Sequence, residues 1–145
     1  MTTSLDYNDL VAAAAEARSN SYSPYSRFRV GAALLAKSGK VYTGCNIENG
    51  SYTPTMCAER VALGTAIAAG EKPGSFEAIA VVADDPAPTT PCGVCRQVMS
   101  ELAPGAWVIM AAAPEKGEGR LEMSVEELLP YGFSFLEHVS GDGEK

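Results

Sequence analysis

The run Phe28-Arg29-Val30-Gly31-Ala32-Ala33-Leu34-Leu35-Ala36, then Ser38-Gly39-Lys40, then Val41-Tyr42-Thr43-Gly44-Cys45-Asn46-Ile47 decides the fold class of this chain. Two largely apolar runs joined by a turn centred on glycine predict an antiparallel hairpin over residues 28–36 and 41–47. Upstream, Leu10, Val11, Ala14 and Ala17 recur at helical period among Asp6, Asp9 and Glu16. They predict an alanine-rich helix within residues 5–20 that starts near Asp6. Pro24 and its neighbours in 21–26 break that helix before the hairpin.

Downstream, residues 56–69 read as a second helix ended by Gly70, and residues 76–83 as a strand whose nearly unbroken apolar character predicts burial on both faces. Three prolines mark residues 84–91 as a loop. Residues 92–102 read as a short helix, 107–113 as a fourth strand and 119–123 as a weak fifth. Ser124-Val125-Glu126-Glu127 has the form of a capping box that opens a last helix. Helix, hairpin, then helix and strand in alternation predict an α/β fold: a single mixed five-stranded sheet sandwiched between helices.

A chain of 145 residues, 46% hydrophobic, suits one compact domain. That domain is expected over residues 1–139, with 140–145 as a frayed polar tail. The 18 acidic against 11 basic residues give a formal charge of −7. This disfavours nucleic acid, whose binding relies on clustered Lys and Arg; a small uncharged substrate fits better. The N-terminus shows Asp6 and Asp9 where a signal peptide carries basic residues, and the apolar run 11–15 is too short to cross a bilayer. A cytoplasmic protein with reduced thiols and no membrane partner is therefore expected.

Cys57-Ala58-Glu59 and the distant Pro91-Cys92-Gly93-Val94-Cys95 supply three thiolates and one carboxylate. Three protein ligands leave a tetrahedral zinc ion one open position, which water can fill. Glu59, two residues past the first ligand, reads as a general acid/base. A redox pair or half of a structural zinc ribbon are the plainer readings of Cys92 and Cys95. The first normally comes with a thioredoxin-like context and the second with another close cysteine pair; neither appears. The single histidine, His138, lies in the C-terminal tail. Each ligand segment sits where a loop enters a helix, whose unpaired N–H groups and partial positive charge favour thiolate over thiol. Three thiolates on Zn²⁺ carry a net charge of −1 and call for a compensating cation. Arg60, three residues past Cys57 on the same helical face, is placed to donate to the sulfurs.

Four blocks extend this pattern: residues 22–34 (Tyr-Ser-Pro-Tyr-Ser-Arg-Phe-Arg-Val-Gly-Ala-Ala-Leu), 43–49 (Thr-Gly-Cys-Asn-Ile-Glu-Asn), Cys57-Ala58-Glu59-Arg60, and 91–97 (Pro-Cys-Gly-Val-Cys-Arg-Gln). In order and across most of residues 20–130, they resemble the small homotetrameric zinc-dependent cytidine deaminases. The resemblance implies a cytidine-deaminase-like fold and a Zn²⁺ cofactor on Cys57, Cys92 and Cys95, with Arg60 beside the sulfurs. Glu59 then takes a proton from the activated water, passes it to the pyrimidine N3 and later protonates the departing amine. By the same resemblance Asn46 and Glu48 bind the ribose, Phe28 packs against the base, and the backbone of Ala58 meets the pyrimidine carbonyl. Phe133 stands where the family presents an aromatic residue to a neighbouring subunit's pocket. An ordinary core role for Phe28 and packing within the chain for Phe133 stay open.

Residue chemistry bears on the same substrate. Asn46 and Glu48, two apart at a strand end, face one way while Cys45 and Ile47 face the other. That makes Cys45 a poor fourth ligand and a buried small hydrophobe. An amide paired with a carboxylate suits sugar hydroxyls, and the carboxylate repels a 5′-phosphate. Gly50 stands where the family usually has Ala, and Thr53-Pro54 moves its proline one place later, which bears on the shape of the pocket rim. The function expected is hydrolytic deamination of cytidine and deoxycytidine to uridine and deoxyuridine with release of ammonia, by a homotetramer. An aminonucleoside deaminase of the blasticidin S type and a non-catalytic zinc-binding module are the alternatives.

Overall fold

The computed structural model describes residues 7–136. The expected tail at 140–145, His138 and the expected helix start near Asp6 lie outside them. The hairpin forms from β1 (Val30–Ala36) and β2 (Val41–Cys45), with Gly31 opposite Cys45 and Leu35 opposite Val41. Gly39 makes its turn at φ +97, a left-handed conformation that a side chain disfavours. The strands are shorter than the expected 28–36 and 41–47 because one side chain replaces the ladder at the open end. The Asn46 carboxamide accepts from Val30 N at 2.9 Å and donates to Phe28 O at 2.8 Å.

β3 (Phe76–Ala83) lies antiparallel on the other side of β1, with Val30 opposite Ala83. α3 (Gly93–Leu102) then carries the chain across to β4 (Trp107–Ala111), which runs parallel to β3, as a helical crossover permits. β5 (Arg120–Ser124) closes the far edge antiparallel, giving the order β2-β1-β3-β4-β5. The result is the expected single mixed five-stranded sheet. β4 ends two residues early, because Ala112 N turns to Gly119 O and Ala113 N to Asp85 O.

Both faces of the sheet are covered. α1 (Asn8–Ala17) lays Leu10 and Ala14 over Ala33, Ala78, Ala80, Val82 and Ile109. On the opposite face α2 (Ala58–Ala68) and α3 pack Ala62, Leu63, Ala66 and Met99 onto Ala32, Leu34 and Ile79. Residues 78–82 therefore feed both layers in alternation, as their unbroken apolar run predicts. Burying each of Leu34, Leu63 and Ile79 contributes roughly 2 kcal/mol. Two glycines let the helices come close. A Cβ on Gly31 falls 2.0 Å from Ala14 O, and one on Gly44 falls 2.5 Å from Ala62 N and 2.6 Å from Ala58 O.

α2 begins later than position 56, since Cys57 is its N-cap in extended conformation and Met56 bridges to Ile47. α4 (Val125–Leu128) is one turn, opened by the expected capping box: Ser124 Oγ accepts from Glu127 N at 3.1 Å and Glu127 Oε1 from Ser124 N at 2.8 Å. No helix among the described residues is long and apolar enough to cross a membrane.

Candidate metal centre and its pocket

Cys57 caps α2 and Cys92 caps α3, so the sheet brings two helix N-termini together with one thiol on each. Cys95 follows in the first turn of α3, and its N–H donates to Cys92 Sγ at 3.5 Å. The Sγ atoms of Cys57, Cys92 and Cys95 all lie within 4.8 Å of one another, with Cys57 and Cys92 3.8 Å apart. Sulfurs held about 2.3 Å from a tetrahedral zinc stand roughly 3.8 Å from each other, so both donor type and spacing fit the ion. Cys45, at the end of β2, is not part of this cluster and is half-buried rather than buried.

Arg60 reaches back along α2, and its Nη2 donates to Cys57 Sγ at 3.2 Å. That hydrogen bond foremost raises its pKa further and keeps it charged. The Cys57 thiol is drawn down to about 5, first by its hydrogen bond with Cys95, then by Arg60 and Cys92. The Cys95 thiol moves up, because it shares a hydrogen bond with Cys57 and is buried.

Glu59 is only 4% exposed. Burial foremost, with the neighbouring Cys57 charge adding to it, pushes its carboxyl up to about 7. It lines a cavity of about 190 Å³ together with Asn46, Ala58, Cys57 and Cys92. A larger cavity of about 350 Å³, lined in part by Val125, Leu129 and Phe133, contains none of the three sulfurs.

Asn46 is 9% exposed; Ser21 Oγ also donates to its Oδ1. Glu48 is not among the residues lining the small cavity. Its carboxylate accepts from Tyr25 N at 2.9 Å, from Ser26 N at 3.1 Å and from Ser26 Oγ, tying the 25–26 turn to the segment after β2. β2 ends at Cys45, so the alternation of faces along a strand does not carry through to Glu48. Phe28 is half-buried and outside both core clusters. Phe133 is 61% exposed, stacks on Phe135 with ring centroids 6.3 Å apart, and accepts from Gln97 Nε2 through its carbonyl.

Six further residues line the cavity that the sequence reading did not single out as site residues: Val30, Thr55, Met56, Val81, Thr89 and Thr90. Adjacency was the only signal for Met56, which precedes Cys57, and for Thr90, which precedes Pro91-Cys92.

A mixed sheet between helices, with two helix N-termini presenting three cysteine sulfurs beside a buried carboxyl group, defines the class of zinc-dependent deaminases of bases and nucleosides. Residues 5–111 match the family described as "Cytidine and deoxycytidylate deaminase zinc-binding region". A cytidine deaminase of Sporosarcina psychrophila is 47% identical over 130 residues, 90% of this chain and 93% of that protein. The crystal structure of a cytidine deaminase from Burkholderia pseudomallei superposes with a TM-score of 0.82 at 46% identity, covering 92% of this chain and all of that one. A blasticidin-S deaminase of Bacillus cereus is more distant, 29% identical over 117 residues, 75% of this chain and 79% of that protein. The chain belongs to the cytidine deaminase family, whose matching region is a zinc-binding one, and the cluster of Cys57, Cys92 and Cys95 could hold that ion.

Proposed function

We propose that this protein deaminates cytidine and deoxycytidine hydrolytically, consuming one water and releasing uridine or deoxyuridine and ammonia. The observation that carries the reading is Glu59: a carboxyl 4% exposed, with a pKa near 7, in the same small cavity as Cys57 and Cys92. A structural zinc site has no use for such a group, which separates this reading from a non-catalytic module. Bound by the three sulfurs, zinc supplies a Lewis acid that makes water nucleophilic at neutral pH.

Glu59 moves the protons. With a pKa close to ambient pH it serves twice: it takes one proton from the attacking water and passes it to the pyrimidine N3, then takes a second from the hydroxyl of the adduct and passes it to the departing amine. The N–H of Ala58, which lines the cavity in the first turn of α2 where helix N–H groups lack intrahelical partners, donates in this reading to the pyrimidine carbonyl. Asn46 is fixed before substrate arrives, and its second amide N–H remains to donate to a ribose hydroxyl. Glu48 keeps lone-pair capacity beyond the 25–26 turn for a second hydroxyl, and Phe28 flanks the base. The cavity of about 190 Å³ is below the usual range of roughly 300–1,000 Å³ for drug-sized ligands, which suits one pyrimidine ring with its sugar at the mouth.

Asn46 and the higher identity to cytidine deaminases favour a ribonucleoside over a blasticidin-type substrate. The same reading places the protein in the cytoplasm as a homotetramer in pyrimidine salvage, with Phe133 at a neighbouring subunit's pocket. Ultraviolet-monitored turnover of cytidine, deoxycytidine, cytosine and the monophosphates by the zinc-loaded protein tests it. Turnover of the two free nucleosides is expected, and inertness toward cytidine overturns it.

A further inference from the structure

Arg18 is a charged side chain carried into the interior, 8% exposed, at the point where α1 lies directly on Gly31 of β1. Its Nη1 donates to Asp84 Oδ1 at 3.1 Å and its Nη2 to Glu115 Oε1 at 2.9 Å. Asp84, with its side chain 12% exposed, also accepts from Arg29: from Nε at 2.8 Å, Nη2 at 3.0 Å and the backbone N at 3.1 Å. Asp84 N completes the exchange by donating to Arg29 O at 2.9 Å. Buried ion pairs of this kind add little net stability over apolar packing, because desolvation offsets their attraction. What this one fixes is geometry.

The residues on either side of Arg29 are the two that hold Asn46: Phe28 O and Val30 N bond its carboxamide. Forward from Asp84 the chain runs through Asp85, whose carbonyl receives Ala113 N at 3.0 Å and whose carboxylate receives Thr89 Oγ1 at 3.5 Å, to Thr89 and Thr90, which also line the pocket. One carboxylate therefore ties together two walls that are far apart in sequence. Cys92 is anchored independently, since Arg96 Nε holds Pro91 O at 2.8 Å from α3.

We propose that Asp84, backed by Arg18, is a positioning residue that sets the distance between the Asn46 wall and the Thr89–Thr90 wall of the pocket, and so governs substrate binding rather than the chemical step. This rests on the deaminase reading, and it predicts a split between kinetic constants. In Asp84→Asn the KM for cytidine rises on the order of tenfold, while kcat and zinc per chain stay within about twofold of wild type.

A second measurement needs no turnover. In nitrogen-15 spectra of the zinc-loaded protein, the Asn46 side-chain amide and the Thr89 and Thr90 amides shift together in Asp84→Asn, while Gln97 on α3 stays in place. If Asp84→Asn does not fold, Arg29→Gln, at a side chain 44% exposed, carries both measurements with a KM rise of about threefold. Unchanged KM with unshifted Asn46 and threonine resonances overturns the proposal. So does loss of kcat or zinc at constant KM. A wild type inert toward cytidine sinks the deaminase reading alone, and the resonance shifts still decide the role of Asp84.

Discussion

The Arg60 guanidinium donates through Nη2 to Cys57 Sγ at 3.2 Å, from within the first turn of the helix that Cys57 caps. Three thiolates on a divalent ion leave a charge of −1, and this cation restores neutrality without adding a ligand. Arg60 Nε is buried without a hydrogen-bond partner, so the side chain is held for what its outer nitrogens touch. Arg60→Gln is expected to weaken zinc binding by about 10- to 100-fold, read by competition with a chelator at fixed pH. Unaltered affinity would reduce Arg60 to a packing residue.

Glu59→Gln keeps the volume of the side chain and removes its proton chemistry. Zinc content and thermal midpoint should stay near wild type while kcat falls by about 10³-fold. Metal analysis and turnover on one preparation make the comparison. Near-normal turnover would take Glu59 out of the mechanism.

The metal centre was legible in the sequence because its determinants are local. Cys57, Glu59 and Arg60 share one helix start, Cys92 and Cys95 another, and the i, i+3 spacing of Cys57 with Arg60 and of Cys92 with Cys95 puts each of those pairs on one face. The sheet was legible for the same reason, through the hairpin turn and the unbroken apolar run of β3. Asn46 shows where local rules stop: its carboxamide, not a strand partner, ends the hairpin. Glu48 obeys the 25–26 turn instead of strand alternation. The Arg18–Asp84 pair spans 66 residues, and no periodicity or spacing links two charges that meet only after the sheet has assembled.

Gly44 is where β2 touches the helix that carries the metal site. An added Cβ meets backbone of Ala62 and Ala58 at 2.5 and 2.6 Å, and backbone cannot rotate aside. Gly44→Ala should cost about 3 kcal/mol and lower zinc affinity by displacing α2. Gly64, exposed on the same helix with open space around its Cβ position, is the control, and Gly64→Ala should stabilise by about 0.5 kcal/mol. Calorimetry on both variants tests the contrast, and equal midpoints would refute the contact.

The Arg29 guanidinium foremost, with Arg18 adding to it, holds the Asp84 carboxyl below its ordinary 3.8. A depressed folded-state pKa stabilises the protein above the unfolded value and loses that contribution as pH falls through the folded one. The stability difference between wild type and Asp84→Asn should therefore be constant from about pH 7 to 5 and shrink below about pH 4. Urea denaturation across that range reads it out. A difference independent of pH would mean that charge is not what Asp84 contributes.

Assembly gives the last test, through the surface beyond α4. Tyr131, Phe133 and Phe135 are 106%, 61% and 57% exposed, and Phe133 and Phe135 stack on each other. The stacked and exposed Phe133–Phe135 pair is the surface that the proposed assembly would cover. In the proposed homotetramer, Phe133 completes a neighbouring pocket, so activity and association must be linked by mass action. Specific activity should fall on dilution in step with the mass read by light scattering. Phe133→Ala should move both curves to higher protein concentration while leaving zinc per chain unchanged. A monomer with full activity would return Phe133 to packing within its own chain, against Phe135 and Gln97.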